Sequence, residues 1–375
     1  MNESSATTAF DMAHQHPMLA DMRRQGQSLS GVMARADEFR AFGRDNRPEG
    51  RGRAGAFGSG DGWFAAQAAM LYARERLRLP YEAANSLEML AYAAPGMRPD
   101  DLAIAISMSG TADRTNQAAE AIVTSAAPVL ALTNGSGGNL ARIARAKISL
   151  DLADLAPFLT GTAKYTASLL GLMLILEGAA GRFDSELSQQ FERLPAMLAE
   201  TERFASAEGA KSAAVRPTGI RILSSGCNMA TADYGTAKFL KLVQIPVTSD
   251  DVEEFAHRQF WSCPASDLVI YIAANPEVAR CASASAAALG SMGMRTIAID
   301  TPYSPVATAS ARLTVPAISE ALSPLLTAIP LQFLAYFIGI ALGGNPDISQ
   351  DVGDPARFHA AQLLSRRGEL EPTPL

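Results

Sequence analysis

The chain has 375 residues, of which 48% are hydrophobic and 19% are charged, so it holds enough apolar mass for two domains with separate cores. Its formal net charge is −6 at pH 7, and its pI is near 5.4. Because nucleic-acid binding depends on clustered Lys and Arg, this balance argues against a nucleic-acid partner. Basic residues gather only between Arg40 and Arg53, where Asp45 and Glu49 interrupt them.

The cysteines and the first residues of the chain indicate in which cellular compartment the protein is expected. Cys227, Cys263 and Cys281 are odd in number and have no CxxC spacing, which predicts neither a disulfide framework nor a zinc site. Residues 1–18 lack a basic start followed by an apolar run, so no signal peptide is expected. We therefore expect a cytoplasmic protein without a metal or a cofactor.

The chain begins with a segment, residues 1–50, that is predicted to be mainly helical and to pack on the first of two lobes. The predicted first lobe comprises residues 51–200 and the predicted second lobe residues 210–345, with a C-terminal tail at 346–375. Residues 186–211 predict a helical linker between the lobes.

An internal repeat gives the clearest organisation. Residues 59–60 (SG) fall 166 positions before residues 225–226 (SG), and residues 101–106 (DLAIAI) fall the same distance before 267–272 (DLVIYI). Self-similarity at one fixed offset indicates that one fold has been used twice.

Short apolar runs alternate with helical stretches in each copy. Runs of four to six apolar residues predict buried parallel strands at 102–107, 129–132, 268–273 and 296–299. The helices between them are predicted at 112–126 and 276–289. The predicted fold class is therefore α/β, with a doubly wound parallel sheet flanked by helices in each lobe. Ligands of such sheets bind outside the carboxyl ends of the strands.

One strand end carries an unusual set of residues. The turn consists of Ser107, Met108, Ser109, Gly110 and Thr111. It lies between a predicted strand and a predicted helix, where free N–H groups and the positive end of the helix dipole attract anions. Its hydroxyls add donors, and its glycine lets a ligand approach the backbone. The hydroxyls could instead simply cap the helix.

The second copy lacks these hydroxyls. The counterpart of the turn at the offset of 166 is residues 273–276 (AANP), which offer one polar side chain and a proline without an N–H. Helix capping alone gives little reason for this difference. We therefore predict one principal anion site per chain, in the first lobe.

A late segment, residues 321–344, has no charged residue over a length that could cross a bilayer, which takes about 20 apolar residues. Pro324, Pro330 and Gln332 lie within it, and no Lys or Arg flanks it closely. We predict a buried helix and no membrane partner. A shorter apolar run at 167–175 closes the first copy in the same way.

Residues 106–111 (ISMSGT) resemble the S-x-S-G turn of sugar isomerase (SIS) domains. The resemblance extends over residues 55–348 and is strongest to the isomerase half of glucosamine-6-phosphate synthase and to fructosamine deglycases. Further similar segments are 58–60 (GSG), 160–165 (TGTAKY), 254–257 (EFAH) and 328–336 (AIPLQFLAY). The resemblance implies two SIS lobes, an anionic sugar as ligand and a homodimer.

The turn and the resemblance together predict the residues that bind the anionic sugar. These are Ser59, Ser107, Met108, Ser109, Gly110, Thr111, Thr162, Lys238 and His359. His359 and Arg357 fall in the tail that reaches the active site in the family.

The catalytic positions depart from the family's pattern. The family's glutamate base corresponds to Lys241 here, and residues 351–360 contain no lysine where the family has a Schiff-base lysine. A serine that often binds phosphate in the first Gly-rich turn corresponds to Gly62. His257 of the family's E-x-x-H loop is retained.

An aldose–ketose isomerase needs one group that opens the sugar ring and another that moves a proton between C1 and C2. His257 suits ring opening because the unperturbed pKa of histidine is about 6.5. Glu253 or Glu254 could carry the proton, and Lys241 could form an imine if burial lowered its pKa. Lys238 and Lys241 are three residues apart and are predicted to share one helix face. The alternative to these catalytic roles is that His257 and the two glutamates form an ordinary exposed acidic loop. The two lysines would then be exposed or would hold a substrate anion.

The sequence thus predicts an isomerase of a phosphorylated or otherwise anionic sugar or amino sugar, without glutamine-dependent amination. Two alternatives remain open. One is a fructosamine-phosphate deglycase, and the other is a non-catalytic sugar-phosphate sensor in which the lost Glu and Lys mark a dead active site.

Overall fold

The structure is a computed structural model, and it describes residues 16–48, 52–155, 161–182, 185–212, 214–346 and 355–365. Some predictions lie outside the described residues: those for residues 1–15, for Glu49 and Thr160, and for the side chain of Arg357. The fold is α/β, as predicted, and has two compact units.

We call the two units the first lobe and the second lobe. The first lobe comprises the described residues of 28–154, 164–188 and 350–375. The second lobe comprises the described residues of 1–27, 155–163 and 189–349. Each lobe is therefore assembled from three separate stretches of the chain.

The first lobe contains a sheet of five parallel strands. They are β1 (Ala54–Gly58), β2 (Tyr81–Asn85), β3 (Leu102–Ile106), β4 (Val129–Thr133) and β5 (Ala146–Ser149). Their order in the sheet is β2-β1-β3-β4-β5, and all neighbouring pairs are parallel. Every residue of β1, β3 and β4 is buried, because helices cover both faces of such a sheet.

The second lobe contains a sheet of the same topology. Its strands are β6 (Ile220–Ser224), β7 (Val247–Asp251), β8 (Leu268–Ala273), β9 (Arg295–Asp300) and β10 (Ala311–Thr314). Their order, β10-β9-β8-β6-β7, is the order of the first sheet read from its other edge. Ala54 and Ile220, which begin β1 and β6, are 166 positions apart. The predicted duplication of the fold is confirmed.

The main helices are α1 (Pro17–Arg23), α2 (Gln25–Ala34), α3 (Ala36–Arg44), α4 (Asp61–Ala68), α5 (Asp113–Thr124), α6 (Ala163–Ala180), α7 (Ser185–Ser212), α8 (Cys227–Leu242), α9 (Pro276–Ser291), α10 (Pro324–Ala341) and α11 (Pro355–Ser365). Two π-helical turns, Tyr72–Arg76 and Met89–Ala93, follow α4 and β2 in the first lobe. Two 3₁₀ turns, Glu254–His257 and Gln259–Ser262, follow β7.

The N-terminal helices are divided between the lobes, which corrects the expectation that residues 1–50 pack on the first lobe. Helix α1 contacts α10 of the second lobe. Gln25 donates a hydrogen bond from Nε2 to Oε1 of Gln332 at 2.7 Å, and both side chains are fully buried. Helix α3 instead packs on α6 of the first lobe, where Arg40 pairs with the buried Glu177 at 2.7 Å.

Helices α6 and α10 are each long and apolar enough to cross a membrane, yet 89% of the apolar stretch of each is buried inside the protein. The apolar stretch of α10 includes the Pro324, Pro330 and Gln332 side chains, all buried. The prediction of a buried helix in residues 321–344 is confirmed.

Candidate functional site

The candidate site lies at the carboxyl edge of the first sheet, between β1 and β3. The chain leaves β1 through α4 toward β2, and it leaves β3 through α5 toward β4, so the two connections diverge. Such a switch point opens a crevice in doubly wound sheets, and ligands bind there. Gly58 of β1 pairs in register with Ile106 of β3, so Ser59 and Ser107 leave the sheet side by side. The structure thus brings together two of the predicted segments.

Two glycines allow the turns after β1 and β3 to approach each other. A Cβ at Gly58 would lie 2.7 Å from the carbonyl oxygen of Ile106, and a Cβ at Gly62 would lie 2.5 Å from the same atom. A serine at position 62 would therefore collide with the backbone of β3.

The turn of residues 107–111 is anchored to its neighbours through the backbone. The Ser107 N–H donates to the Leu132 carbonyl of β4 at 3.1 Å, and the Gly110 N–H donates to the Ser107 carbonyl at 3.2 Å. The Met108 carbonyl in turn accepts from the Asn134 N–H at 2.9 Å. The turn is therefore held by β4 and by the loop that follows it.

Gly110 makes the closest contact of the turn. It has a φ of +66°, in the left-handed region that favours glycine, and a Cβ there would overlap the carbonyl oxygen of Gly137. The Gly110 carbonyl also accepts from the Leu140 N–H at 3.0 Å. Only a glycine satisfies both the backbone angle and this approach.

The hydroxyls of the turn do not cap helix α5. The N-cap residue is Ala112, which makes no side-chain capping hydrogen bond, and the Ser109 hydroxyl accepts instead from the Thr111 N–H at 3.3 Å. Ser109 and Thr111 are exposed and bond to each other, with 2.9 Å between Oγ and Oγ1. The alternative that these hydroxyls merely cap the helix is therefore not what the structure shows. They stand in solvent beside the positive end of a twelve-residue helix.

The predicted Ser59 is joined near the turn by Ser86, Thr115 and Thr133, which the sequence did not indicate. The Ser59 hydroxyl donates to the Ser86 hydroxyl at 3.0 Å, which is 2.8 Å from the hydroxyl of Thr115 in the first part of α5. This chain of three hydroxyls connects the ends of β1 and β2 with α5. The buried Thr133 hydroxyl at the end of β4 has no hydrogen-bond partner among the described residues.

The counterpart turn in the second lobe uses its polar groups internally. Asn275 caps α9 by accepting from the Glu277 N–H at 2.9 Å, and its Nδ2 donates to the Glu320 carboxylate at 2.7 Å. The other carboxylate oxygen of Glu320 lies close to Gly226, the N-cap residue of α8. Burial, together with the Glu320 charge, raises the pKa of the Cys227 thiol to about 12. The chain's own carboxylate thus occupies the edge of this sheet.

Three of the predicted catalytic residues, Glu253, Glu254 and His257, lie together where the chain leaves β7 in the second lobe, and all three are exposed. Asp251 orders this segment, because its Oδ1 accepts from the N–H groups of Glu253 and Glu254 at 2.9 and 3.3 Å. The buried Phe255 anchors it. The Glu253 carboxylate also accepts from the Cys281 thiol at 3.3 Å.

The two predicted lysines do not share an environment, which corrects the prediction of one common helix face. Lys238 of α8 is fully buried, and its Nζ lies 4.6 Å from the ring centroid of Tyr234. Lys241 is exposed near the end of the same helix. The burial that the imine hypothesis requires of Lys241 is therefore not met.

The other two predicted binding residues, Thr162 and His359, differ in burial. Thr162 of the second lobe is fully buried, and its hydroxyl donates to the Asp21 carboxylate, which also accepts from the Ala163 N–H at 3.0 Å. These bonds give Thr162 a structural role. His359 is exposed on helix α11. Among the described residues, no group of three His, Cys, Asp or Glu side chains could hold a metal ion.

Comparison with known proteins agrees with the geometry. Residues 51–176 match the SIS domain. Over 258 residues the chain is 28% identical to the glutamine–fructose-6-phosphate aminotransferase (isomerizing) of Pyrobaculum aerophilum, a match that covers 66% of this chain and 42% of the relative. The chain therefore spans less than half the length of that relative.

Solved structures share the fold over most of the chain. The C-terminal domain of glucosamine-fructose-6-phosphate aminotransferase from Francisella tularensis has a TM-score of 0.76 at 15% identity, and the match covers 90% of this chain and 98% of that domain. The tagatose-6-phosphate ketose/aldose isomerase of Escherichia coli has a TM-score of 0.74 at 17% identity, and the match covers 89% of this chain and 95% of that chain. The first lobe therefore contains a match to the SIS domain over residues 51–176, and the sheet of the second lobe repeats the topology of the first.

Proposed function

We propose that the protein binds a phosphorylated or otherwise anionic sugar at the turn of residues 107–111 and interconverts its aldose and ketose forms. The observation that carries the proposal is the pair of exposed hydroxyls, Ser109 and Thr111, at an α-helix start that they do not cap. Two similar proteins, a glutamine–fructose-6-phosphate aminotransferase (isomerizing) and a tagatose-6-phosphate ketose/aldose isomerase, support a sugar phosphate as ligand.

The anion end of the sugar would meet donors already in place. The Ser109 and Thr111 hydroxyls, now bonded to each other, can rotate and donate to phosphate oxygens. The start of α5 adds the positive end of its dipole. Since a hydrogen bond to a charged group contributes about 1.5–3 kcal/mol, two hydroxyls would account for about 100-fold or more in affinity.

The acid–base steps are assigned to the segment that follows β7. His257 would open the sugar ring, because an imidazole can both donate and accept a proton. Glu254 would move the proton between C1 and C2. We choose it over Glu253 because the Glu253 carboxylate already accepts a hydrogen bond from the Cys281 thiol. This assignment rests on the chemistry of the residues, on their exposure on one short segment and on the resemblance to the family.

A sensor without catalysis is the second candidate. It is favoured by Lys241, which stands where the family has its glutamate base and which is exposed. Deglycation of a fructosamine phosphate is a variant of the enzyme proposal, with the same anion site. We also propose that the protein is cytoplasmic, which suits its three cysteines, all free thiols among the described residues, and that it acts as a homodimer.

The decisive experiment incubates the protein in heavy water with a panel of hexose and hexosamine phosphates and follows deuterium entry at C2. The isomerase proposal predicts exchange with at least one sugar, and loss of that exchange in His257→Asn. If no sugar exchanges deuterium while several raise the Tm, the isomerase proposal is wrong and the sensor is favoured. Release of an amine from a fructosamine phosphate would favour the deglycase.

A further inference from the structure

A groove lined by arginines lies in the first lobe, away from the turn of residues 107–111. It has a volume of about 670 Å³ and opens at the amino ends of β1 and β2. Its lining residues are Arg53, Arg74, Arg78, Leu79, Pro80, Tyr81 and Glu82. Its volume falls within the range of small-molecule pockets, about 300–1,000 Å³.

The lining of the groove carries more positive than negative charge. Three of its residues are arginines, and Glu82 is its only carboxylate. Arg53 is already neutralised, because its guanidinium lies 2.9 Å from Glu82 and 3.7 Å from Asp101. Arg74 and Arg78 form no ion pair with any described residue. The groove therefore presents two uncompensated guanidinium groups.

Arg74 is held in a defined position. Its Nε donates to the Tyr81 carbonyl at 3.0 Å, which fixes one edge of the guanidinium against the start of β2. Tyr81 is itself fixed, since its hydroxyl donates to the Ala66 carbonyl of α4 at 2.8 Å. The remaining donors of Arg74 are thus preorganised, and guanidinium donors match phosphate oxygens in pairs.

Arg78 has a left-handed backbone conformation, which glycine adopts more easily than arginine. It has a φ of +50° directly after the π-helical turn Tyr72–Arg76 and its C-cap Leu77. The Leu79 N–H closes this helix end by donating to the Ala73 carbonyl at 2.9 Å. A left-handed residue after a helix end is usually glycine, and a side chain there costs about 1–2 kcal/mol. An arginine at this position places a charge beside the groove at the expense of backbone strain.

We propose that this groove is a binding site for a small ligand that carries two or more phosphate groups, separate from the sugar site. It opens at the amino edge of the sheet, whereas the turn of residues 107–111 lies at the carboxyl edge. The five residues of β1 separate the two edges by about 17 Å, at about 3.3 Å per residue. The alternative is that the arginines only complement the negative end of the preceding helix.

The test titrates the full-length protein with inorganic tripolyphosphate by calorimetry at constant ionic strength. Tripolyphosphate could also enter the sugar site, so the titration uses the variant Ser109→Ala with Thr111→Ala as background. In that background we expect binding at one site, because the groove is intact. Absence of binding in this background would overturn the proposal.

The groove is then tested by two substitutions in the same background. Arg78→Gly removes a guanidinium and relieves the left-handed strain, so it should weaken tripolyphosphate binding about tenfold or more while raising the Tm. Arg74→Gln should weaken binding to a similar extent. Arg280→Gln, at an exposed arginine of α9 paired with Glu277, is the matched control and should change nothing.

The outcomes separate the proposal from its alternative. Unchanged binding in both Arg74→Gln and Arg78→Gly would overturn the proposal, as would an equal loss in Arg280→Gln, since this would indicate attraction to the overall charge. The sugar site is independent of this result, because Arg74→Gln on the otherwise native chain should leave the affinity for sugar phosphates unchanged.

Discussion

The turns that follow β3 and β8 occupy the same place in two sheets of the same topology, yet they use their polar groups differently. In the first lobe, Ser109 and Thr111 are exposed, and neither caps α5. In the second lobe, Asn275 caps α9 and also donates to the Glu320 carboxylate. The polar residue at the helix start thus stabilises the fold in the second lobe, whereas the polar residues of the first lobe remain available to a ligand.

This difference is the basis of the proposal that the duplicated fold has one anion site. A group that caps a helix contributes stability in the absence of ligand, whereas an uncapped helix start keeps its donors for an anion. The Glu320 carboxylate fills the corresponding edge of the second sheet with a negative charge that belongs to the chain itself. Each of the following predictions tests one part of this comparison.

The largest effect is expected at the backbone of the first turn. Gly110→Ala should lower the free energy of unfolding by about 3 kcal/mol or more. The backbone at this position has a left-handed φ, which alanine disfavours, and the new Cβ would overlap the Gly137 carbonyl. Sugar-phosphate binding should be lost as well. Urea unfolding followed by circular dichroism, together with calorimetric titration, measures both effects.

Gly135→Ala is the matched control for this change. Gly135 also has a positive φ, of +71°, but a Cβ there would meet no atom within 4 Å. The expected loss is about 1–2 kcal/mol, from the backbone angle alone. Equal losses in the two variants would show that the contact with Gly137 does not hold the turn.

The double substitution Ser109→Ala with Thr111→Ala should have the next largest effect, on binding and not on stability. The affinity for a sugar phosphate should fall about 100-fold, because two donors to the anion are removed. The free energy of unfolding should stay within about 0.5 kcal/mol, since both side chains are exposed and neither caps α5. Ser291→Ala, at an exposed serine that ends α9, serves as the control. Unchanged affinity would remove the anion site from the first turn.

Asn275→Ala should give the opposite pattern. It removes the α9 cap and should lower the free energy of unfolding by about 1 kcal/mol, while sugar-phosphate affinity stays unchanged. Asn275→Ser, which retains a capping hydroxyl, should recover most of the loss. A fall in affinity without a change in stability would contradict the assignment of Asn275 as a structural cap.

The smallest effect is expected from Glu320→Gln. The amide oxygen can still accept from Asn275, so stability should change by less than about 0.5 kcal/mol. Calorimetry should still find one sugar-phosphate site per chain, because the second turn has no hydroxyls and contains Pro276. A second site would mean that the Glu320 charge, and not the missing hydroxyls, keeps anions away from this lobe.

Four of the six interior strands could be predicted from the sequence, and the edge strands could not. Strands β3, β4, β8 and β9 are nearly continuous apolar runs, because neighbouring strands and helices surround them. Strands β2 and β7 lie at sheet edges, are only partly buried, and contain polar residues such as Glu82 and Asp250. Their apolar signal is weak for this physical reason, and only the repeat could have indicated them.

The candidate site was predictable in its turn and not in its surroundings. Residues 107–111 are contiguous, so their spacing was visible in the sequence. Ser86 and Thr115 come from separate elements, and only the parallel register brings their hydroxyls within 2.8 Å of each other. The different environments of Lys238 and Lys241 depend on how α8 packs, and helical spacing does not show this.

The contact between Gly110 and Gly137 couples the turn of residues 107–111 to the loop that follows β4. The Met108 and Gly110 carbonyls accept from the Asn134 and Leu140 N–H groups, so neither segment can shift without breaking these bonds. A ligand that immobilises the turn would therefore slow amide hydrogen exchange at Asn134 and Leu140, two residues that it need not touch. The loop after β4 would thus report on occupancy of the anion site.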